Sequence, residues 1–135
     1  MFVPDDFEVP RTLVDERFVL EPLGPEHNED DYAAWTSSVE HIRATPGFAG
    51  WSWPGELTLE ENRRDLERHA ADFAARTGFT YTVLEPQTRQ VIGCVYIYPD
   101  GVRSWVRADR SDLDGPLREA VAAWLDADWP LLGAG

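Results

Sequence analysis

Phe79-Thr80-Tyr81-Thr82-Val83-Leu84, Val91-Ile92-Gly93-Cys94-Val95-Tyr96-Ile97-Tyr98 and Val102-Arg103-Ser104-Trp105-Val106-Arg107 are three consecutive stretches rich in β-branched and aromatic side chains. Each has strand length and strand composition. The second is apolar on both faces, which suits a strand flanked on either side. The third alternates cleanly. Pro86 to Gln90 joins the first two as a hairpin loop, and Pro99-Asp100-Gly101 makes a tight turn between the second and third. A polar elbow, Asp109 to Asp114, then opens an amphipathic helix with Leu113, Leu117, Val121, Trp124 and Leu125 on one face. Pro130 stops it.

Upstream of these strands the pattern changes period. Arg17-Phe18-Val19-Leu20-Glu21-Pro22-Leu23 reads as a first strand ended by Gly24-Pro25. A helix is expected from about Asn28 to Ala44, because Tyr32, Trp35, Val39 and Ile42 recur at helical spacing. A loop rich in Gly and Pro follows, carrying Phe48, Trp51 and Trp53. Thr58 and Glu61 have the spacing of a capping box. The helix they open runs to about Arg76, with Leu59, Leu66, Ala70 and Phe73 turned inward and Gly78 as its C-cap. Residues 1–11 read as an N-terminal arm and 12–135 as a single domain. The element order is β-α-α-β-β-β-α, an α/β (α+β) chain.

Composition bounds the function. With 135 residues, 43% hydrophobic and 12% aromatic, the chain can build one core. No apolar run approaches the ~20 residues of a membrane span, and the first residues lack the basic and apolar regions of a secretory signal. Cytoplasmic residence and no membrane contact are the expectation. Cys94 is the only cysteine and sits mid-strand, so neither an internal disulfide nor a thiolate metal cluster is expected. The three His have no partners at ligand spacing, so no metal is expected. Basic residues are all Arg. Residues 1–62 hold 14 acids and 3 Arg, net −11, whereas residues 76–110 hold 5 Arg and 3 acids, net +2. An acidic chain of this kind is a poor partner for nucleic acid. The locally basic strands can still meet one anionic ligand.

The order of elements resembles that of the GNAT superfamily of N-acyltransferases through its third helix. Leu13-Val14-Asp15-Glu16-Arg17-Phe18-Val19-Leu20-Glu21-Pro22-Leu23 resembles the opening strand of the branch that modifies protein N-termini and small amines. Val91-Ile92-Gly93-Cys94-Val95-Tyr96-Ile97 resembles its "hydrophobic-Ile-Gly-x-hydrophobic" central strand. The resemblance implies a mixed, mostly antiparallel sheet, with the last strands of the family fold absent from this sequence. It implies acetyl transfer from acetyl-CoA to a primary amine, on a small molecule or a protein N-terminus. Acetyl-CoA would lie along Trp105, Val106 and Arg107. Its phosphates would sit near Arg107, Arg110, Leu113, Asp114 and Gly115, where backbone donors and a helix N-terminus hold anions.

That elbow departs from the family's glycine-rich loop. With Arg110 as the first motif residue, Leu113 and Gly115 fall on the two glycine positions, so one of two is kept. Pro116 removes an amide donor. Asp112 and Asp114 cap the helix and repel a diphosphate. The competing reading is a non-catalytic GNAT-like binding or assembly module that has lost the cofactor loop. Candidate catalytic groups are Tyr81, Tyr96, Glu85 and His69, with Tyr98 beside them by position. His41 is expected to face solvent and His27 to sit in a turn. Phe48, Trp51 and Trp53 would form an apolar lid or cation–π wall for the amine. The open strand edge and the apolar end Trp129-Pro130-Leu131-Leu132 point to a homodimer.

Overall fold

The computed structural model describes residues 2–48 and 55–130. Five antiparallel strands form one sheet in chain order: β1 (Leu13–Val14), β2 (Val19–Pro22), β3 (Phe79–Leu84), β4 (Val91–Tyr98) and β5 (Gly101–Val106). Between β2 and β3 lie a short 3₁₀ turn (Pro25–His27), α1 (Asn28–Thr36), α2 (Val39–Ala44) and α3 (Leu59–Ala75). After β5 come a 3₁₀ segment (Ala108–Leu113) and α4 (Asp114–Asp128). The three long strands and the last helix fall where the periodicity puts them. The pair Leu13–Val14 adds a strand that two residues could not announce.

Two further differences have local causes. The helix expected from Asn28 to Ala44 is broken at Ser37 and Ser38. There Thr36 Oγ1 donates to Tyr32 O at 2.6 Å and Ser37 Oγ to Ala34 O at 3.0 Å, so hydroxyls compete with the helical ladder. Ser38 Oγ meanwhile accepts Ala108 N at 2.8 Å, tying the break to the elbow after β5. The C-cap of α3 is Arg76, left-handed at φ 62, not Gly78. Its guanidinium reaches Pro4 O at 2.6 Å and Phe7 O at 2.9 Å, contacts that a glycine cannot make. The capping box at the other end of α3 forms as read: Glu61 N donates to Thr58 Oγ1 at 3.1 Å and Thr58 N to Glu61 Oε1 at 2.9 Å. Leu59, expected inside, is 40% exposed.

Gly78 has a different task. A Cβ there would lie 2.0 Å from the Tyr98 ring. Gly78→Ala is expected to lower stability by about 1–3 kcal/mol, the usual cost of overpacking. Thermal denaturation checks it; an unchanged melting temperature would place Tyr98 elsewhere.

The sheet separates two apolar clusters. One contains Phe18, Leu20, Phe79, Tyr81, Val95, Ile97 and the inner face of α4. Trp129 belongs to it, 6% exposed against Phe7, Phe79 and Trp124. It therefore offers no apolar surface to a second copy; Leu131 and Leu132 lie outside the described residues. The other cluster joins Trp35, Ile42, Leu66, Cys94 and Trp105 under α1 to α3. β4 serves both because its register against β3 shifts between Val83 and Leu84, leaving Ile92 without a partner there. From Gly93 onward, Cys94, Tyr96 and Tyr98 all face the helices α1 to α3.

Candidate functional site

On that face a cavity of about 280 Å³ opens between α1, α3 and the β4–β5 hairpin. Its walls include Leu23, Phe48, Leu66 and Tyr96, and its charged members are Asp31, Asp65, Arg68, Asp100 and Arg103. Of the aromatic loop, Phe48 is buried here; Trp51 and Trp53 lie outside the described residues.

The deepest charged group is Asp31, 4% exposed. It sits on α1 one turn before Trp35, so it shares the inward stripe. Asn62, on the inward face of α3, donates Nδ2 to Asp31 Oδ2 at 3.1 Å and to Asn28 Oδ1 at 2.9 Å. Asn62 Oδ1 accepts Trp35 Nε1 at 3.0 Å. Every polar atom of the Asn62 side chain is used, so the carboxylate is held in a fixed place. Burial pushes the Asp31 carboxyl up to about 6, and the Asn62 bond only partly offsets it. It is ionised at neutral pH yet more basic than an ordinary aspartate. Three acids in a row at a helix start, Glu29-Asp30-Asp31, read as solvated charge. The overlooked signal is that 28, 31 and 35 fall on one helical face, so two polar groups point into the core.

His69 lies one turn beyond Leu66 on α3 and also lines the cavity. Its Nδ1 is 3.0 Å from both Tyr98 Oη and Thr80 Oγ1. Tyr98 has one hydroxyl hydrogen and gives it to Asp72 Oδ2 at 2.9 Å. We therefore assign the imidazole proton to Nδ1, leaving Nε2 as an acceptor. Burial pulls the imidazole down to about 4, so His69 is neutral at physiological pH. Tyr96 Oη accepts Trp105 Nε1 at 2.9 Å. Burial holds both the Tyr96 phenol and the Cys94 thiol well above their ordinary values.

The cavity thus gathers Phe48, His69 and Tyr96 from among the residues singled out in the sequence. Tyr81 lies in the opposite cluster, where its hydroxyl donates to Pro10 O at 2.6 Å. Glu85 caps the β3–β4 loop, accepting Thr88 N at 2.7 Å and Gln87 N at 3.0 Å, and neither residue lines the cavity. His27 pairs with Glu21 at 3.1 Å beside its turn. Among the described residues no group of three His, Cys, Asp or Glu is placed to hold a metal ion, and no helix is long and apolar enough to cross a membrane.

The second set of residues lies at the outer edge of β5. Arg107 N donates to Ile92 O at 2.8 Å, so in the antiparallel ladder residues 101, 103, 105 and 107 bond β4. Residues 102, 104 and 106 turn their N–H and C=O to the other side. Trp105 and Val106 themselves are buried. At the start of α4 no side chain caps the helix, contrary to the reading of Asp112 and Asp114 as caps. Asp114 instead meets His41 Nε2 at 2.6 Å, so His41 is part-buried and partnered where exposure was expected. Asp114 N already donates to Ser111 O. A Cβ on Gly115 would meet nothing within 4 Å, so open space borders the backbone there. Arg107 pairs with Asp109 at 3.1 Å, and Arg110 is half-buried nearby.

No family model matches the sequence, and no curated protein does. Solved structures do match the architecture. A ribosomal-protein-S5-alanine acetyltransferase from Vibrio fischeri aligns at TM-score 0.66 and 14% identity, over 87% of this chain and 67% of that one. RimL, a ribosomal L7/L12 α-N-protein acetyltransferase, aligns at TM-score 0.66 and 12% identity, over 93% and 70%. MccE, the Microcin C7 self-immunity acetyltransferase in complex with acetyl-CoA and AMP, aligns at TM-score 0.61 and 10% identity, over 88% and 69%. The fold is that of the GNAT acetyltransferases. At such identities the likeness concerns the fold, and the activity has to be argued from the residues of this GNAT-fold chain.

Proposed function

We propose that the protein transfers an acetyl group from acetyl-CoA to a primary amine bound in the cavity on the α1–α3 face. The observation that carries this reading is the buried Asp31 carboxylate, fixed by Asn62 in a cavity walled by Phe48 and Tyr96 on a GNAT fold. The amine nitrogen forms a bond to the thioester carbon, the C–S bond breaks, and the sulfur leaves as coenzyme A. Asp31 takes the ammonium proton, which frees the nitrogen lone pair, and the second N–H proton goes to the departing sulfur, so coenzyme A leaves as the thiol. His69 Nε2, neutral and acceptor-only, orients another N–H. The enzyme contributes position, desolvation and a proton acceptor.

The β5 edge fits the co-substrate. The outward backbone groups of residues 104 and 106 suit an amide-bearing pantetheine arm. Gly115 leaves room for phosphate beside the α4 N-terminus, and Arg107 and Arg110 supply charge. The Asp114 carboxylate is held by His41 Nε2 at 2.6 Å.

Acetyl-CoA at a hundredfold excess over its Kd adds about 2.7 kcal/mol of stability, on the order of 10 °C for a domain of this size. Calorimetric titration and a thermal shift measure it. Arg110→Ala is expected to weaken binding about tenfold or more, the scale of a charge-assisted contact. No heat and no shift at millimolar acetyl-CoA would leave the non-catalytic module as the reading.

A further inference from the structure

We infer that the amine acceptor is a small free monoamine, a single ammonium on an apolar body, and not a protein N-terminus, a polyamine or an amino acid. The inference deepens the acetyl-transfer reading and rests on it for the fate of the bound amine.

Charge comes first. The cavity wall carries three carboxylates and two guanidiniums, with His69 neutral. Asp65 pairs with Arg68 at 3.5 Å and Asp100 with Arg103 at 3.0 Å. Asp31 has no cationic partner within ion-pair distance among the described residues; its one hydrogen bond comes from Asn62. One buried negative charge is matched by one positive charge. The further ammoniums of a polyamine would meet only Asp65 and Asp100, which already pair with Arg68 and Arg103. The carboxylate of an amino acid would compete with Asp65 and Asp100 for guanidiniums that already have partners.

Hydrogen bonding comes second. A primary ammonium has three N–H donors and no acceptor. Besides the salt-bridged Asp65 and Asp100, the cavity wall carries two acceptors of the matching kind, the Asp31 carboxylate and His69 Nε2. Other polar groups of the wall bond one another: Tyr98 to Asp72, Tyr96 to Trp105, Asn62 to its three partners. A peptide entering by its N-terminus brings backbone N–H and C=O groups within a residue of the amine. These would lose water and find few partners, a costly exchange.

Size and surface come third. A volume of about 280 Å³ lies at the lower edge of the roughly 300–1,000 Å³ of small-molecule sites. Leu23, Leu66 and the rings of Phe48 and Tyr96 present apolar and π surface to the body of such a ligand.

The test is calorimetric titration of the protein without acetyl-CoA, using 2-phenylethylamine, spermidine and trialanine amide as probes. The expected result is saturable binding of 2-phenylethylamine, at least tenfold tighter than the other two, and at least tenfold weaker in Asp31→Asn. In ¹⁵N-histidine-labelled wild-type protein the His69 Nε2 resonance should shift on titration, so the outcome does not hang on the variant's folding. Equal or tighter binding of trialanine amide or spermidine overturns the inference, as does unaltered affinity in a folded Asp31→Asn protein or a silent His69 signal. Acetyl-CoA is added only afterwards. Amine binding without transfer would then count against the acetyl-transfer reading alone.

Discussion

Asp31→Asn is expected to give a folded protein that is more stable than the wild type at pH 8 and nearly inactive. The stability effect follows from burial. Burial pushes the carboxyl up from 3.8 in the unfolded chain to about 6 in the fold. A raised acid pKa means that the group's contribution to stability is fully present below pH 3.8 and lost as pH rises through 6. Above pH 6 the ionised carboxylate costs up to about 3 kcal/mol, at 1.36 kcal/mol per unit. The groups that bear on it are Asn62 and His27, which lower its pKa, and Asp65, which raises it. Asparagine removes the cost and can still accept the Asn62 bond. The two proteins should therefore melt together near pH 4, and the variant should melt about 8–10 °C higher at pH 8. Activity should fall by about 10²–10⁴, the usual worth of a positioned proton acceptor. The wild-type rate should rise through pH 6 as Asp31 ionises, with no limb from His69, which is neutral above about pH 5. Equal melting at both pH values together with undiminished turnover would remove Asp31 from the site.

The frame of the fold is legible in the sequence because its signals are local. β3 and β4 occupy the ranges that their composition gives, and the Thr58–Glu61 capping box needs only spacing. The misreadings occur where a distant residue decides. Ser38 looks like an ordinary mid-helix serine until Ala108 N, 70 positions away, is found on its hydroxyl. Gly78 invites a C-cap because glycine usually serves there. The structure gives the cap to Arg76, whose guanidinium is rewarded by Pro4 O and Phe7 O.

The site was partly legible. His69 borders the Leu66 stripe, and spacing alone brings it to the cavity. Tyr96 was one of three strand tyrosines that no local feature separates. The bulge opposite Val83 and Leu84 decides which face of β4 it takes. Asp31 was hidden by company: beside Glu29 and Asp30 it reads as surface charge. A helical wheel through Asn28, Asp31 and Trp35 would have set it apart, but its meaning depends on Asn62, 31 residues on. His41 and Asp114 are 73 positions apart and nothing local foretells their contact.

Gly93→Ala is expected to be the most damaging single methyl in the sheet. Gly93 belongs to the "hydrophobic-Ile-Gly" stretch, and conformational freedom is not why it is there. Its Cβ would lie 2.4 Å from the Trp105 carbonyl oxygen and 3.3 Å from Val106 Cα. Both are backbone atoms of the neighbouring strand, so no rotamer change relieves the clash; β5 has to move. Trp105 and Val106 are buried on opposite faces of the sheet, and moving them disturbs both clusters at once. A loss of about 3 kcal/mol or more is expected, at the upper end of overpacking costs, and a melting point lower by about 10 °C. Gly115→Ala is the contrasting case. It is helical with open space around it, and alanine there should stabilise by about 0.5–1 kcal/mol. The Trp105 Nε1 bond to Tyr96 and the position of Arg103 both depend on where β5 sits. Gly93→Ala should therefore also shift tryptophan fluorescence and weaken amine binding before the chain unfolds. A variant that melts with the wild type would mean that β5 does not approach β4 this closely, and the cavity wall built on that approach would fall with it.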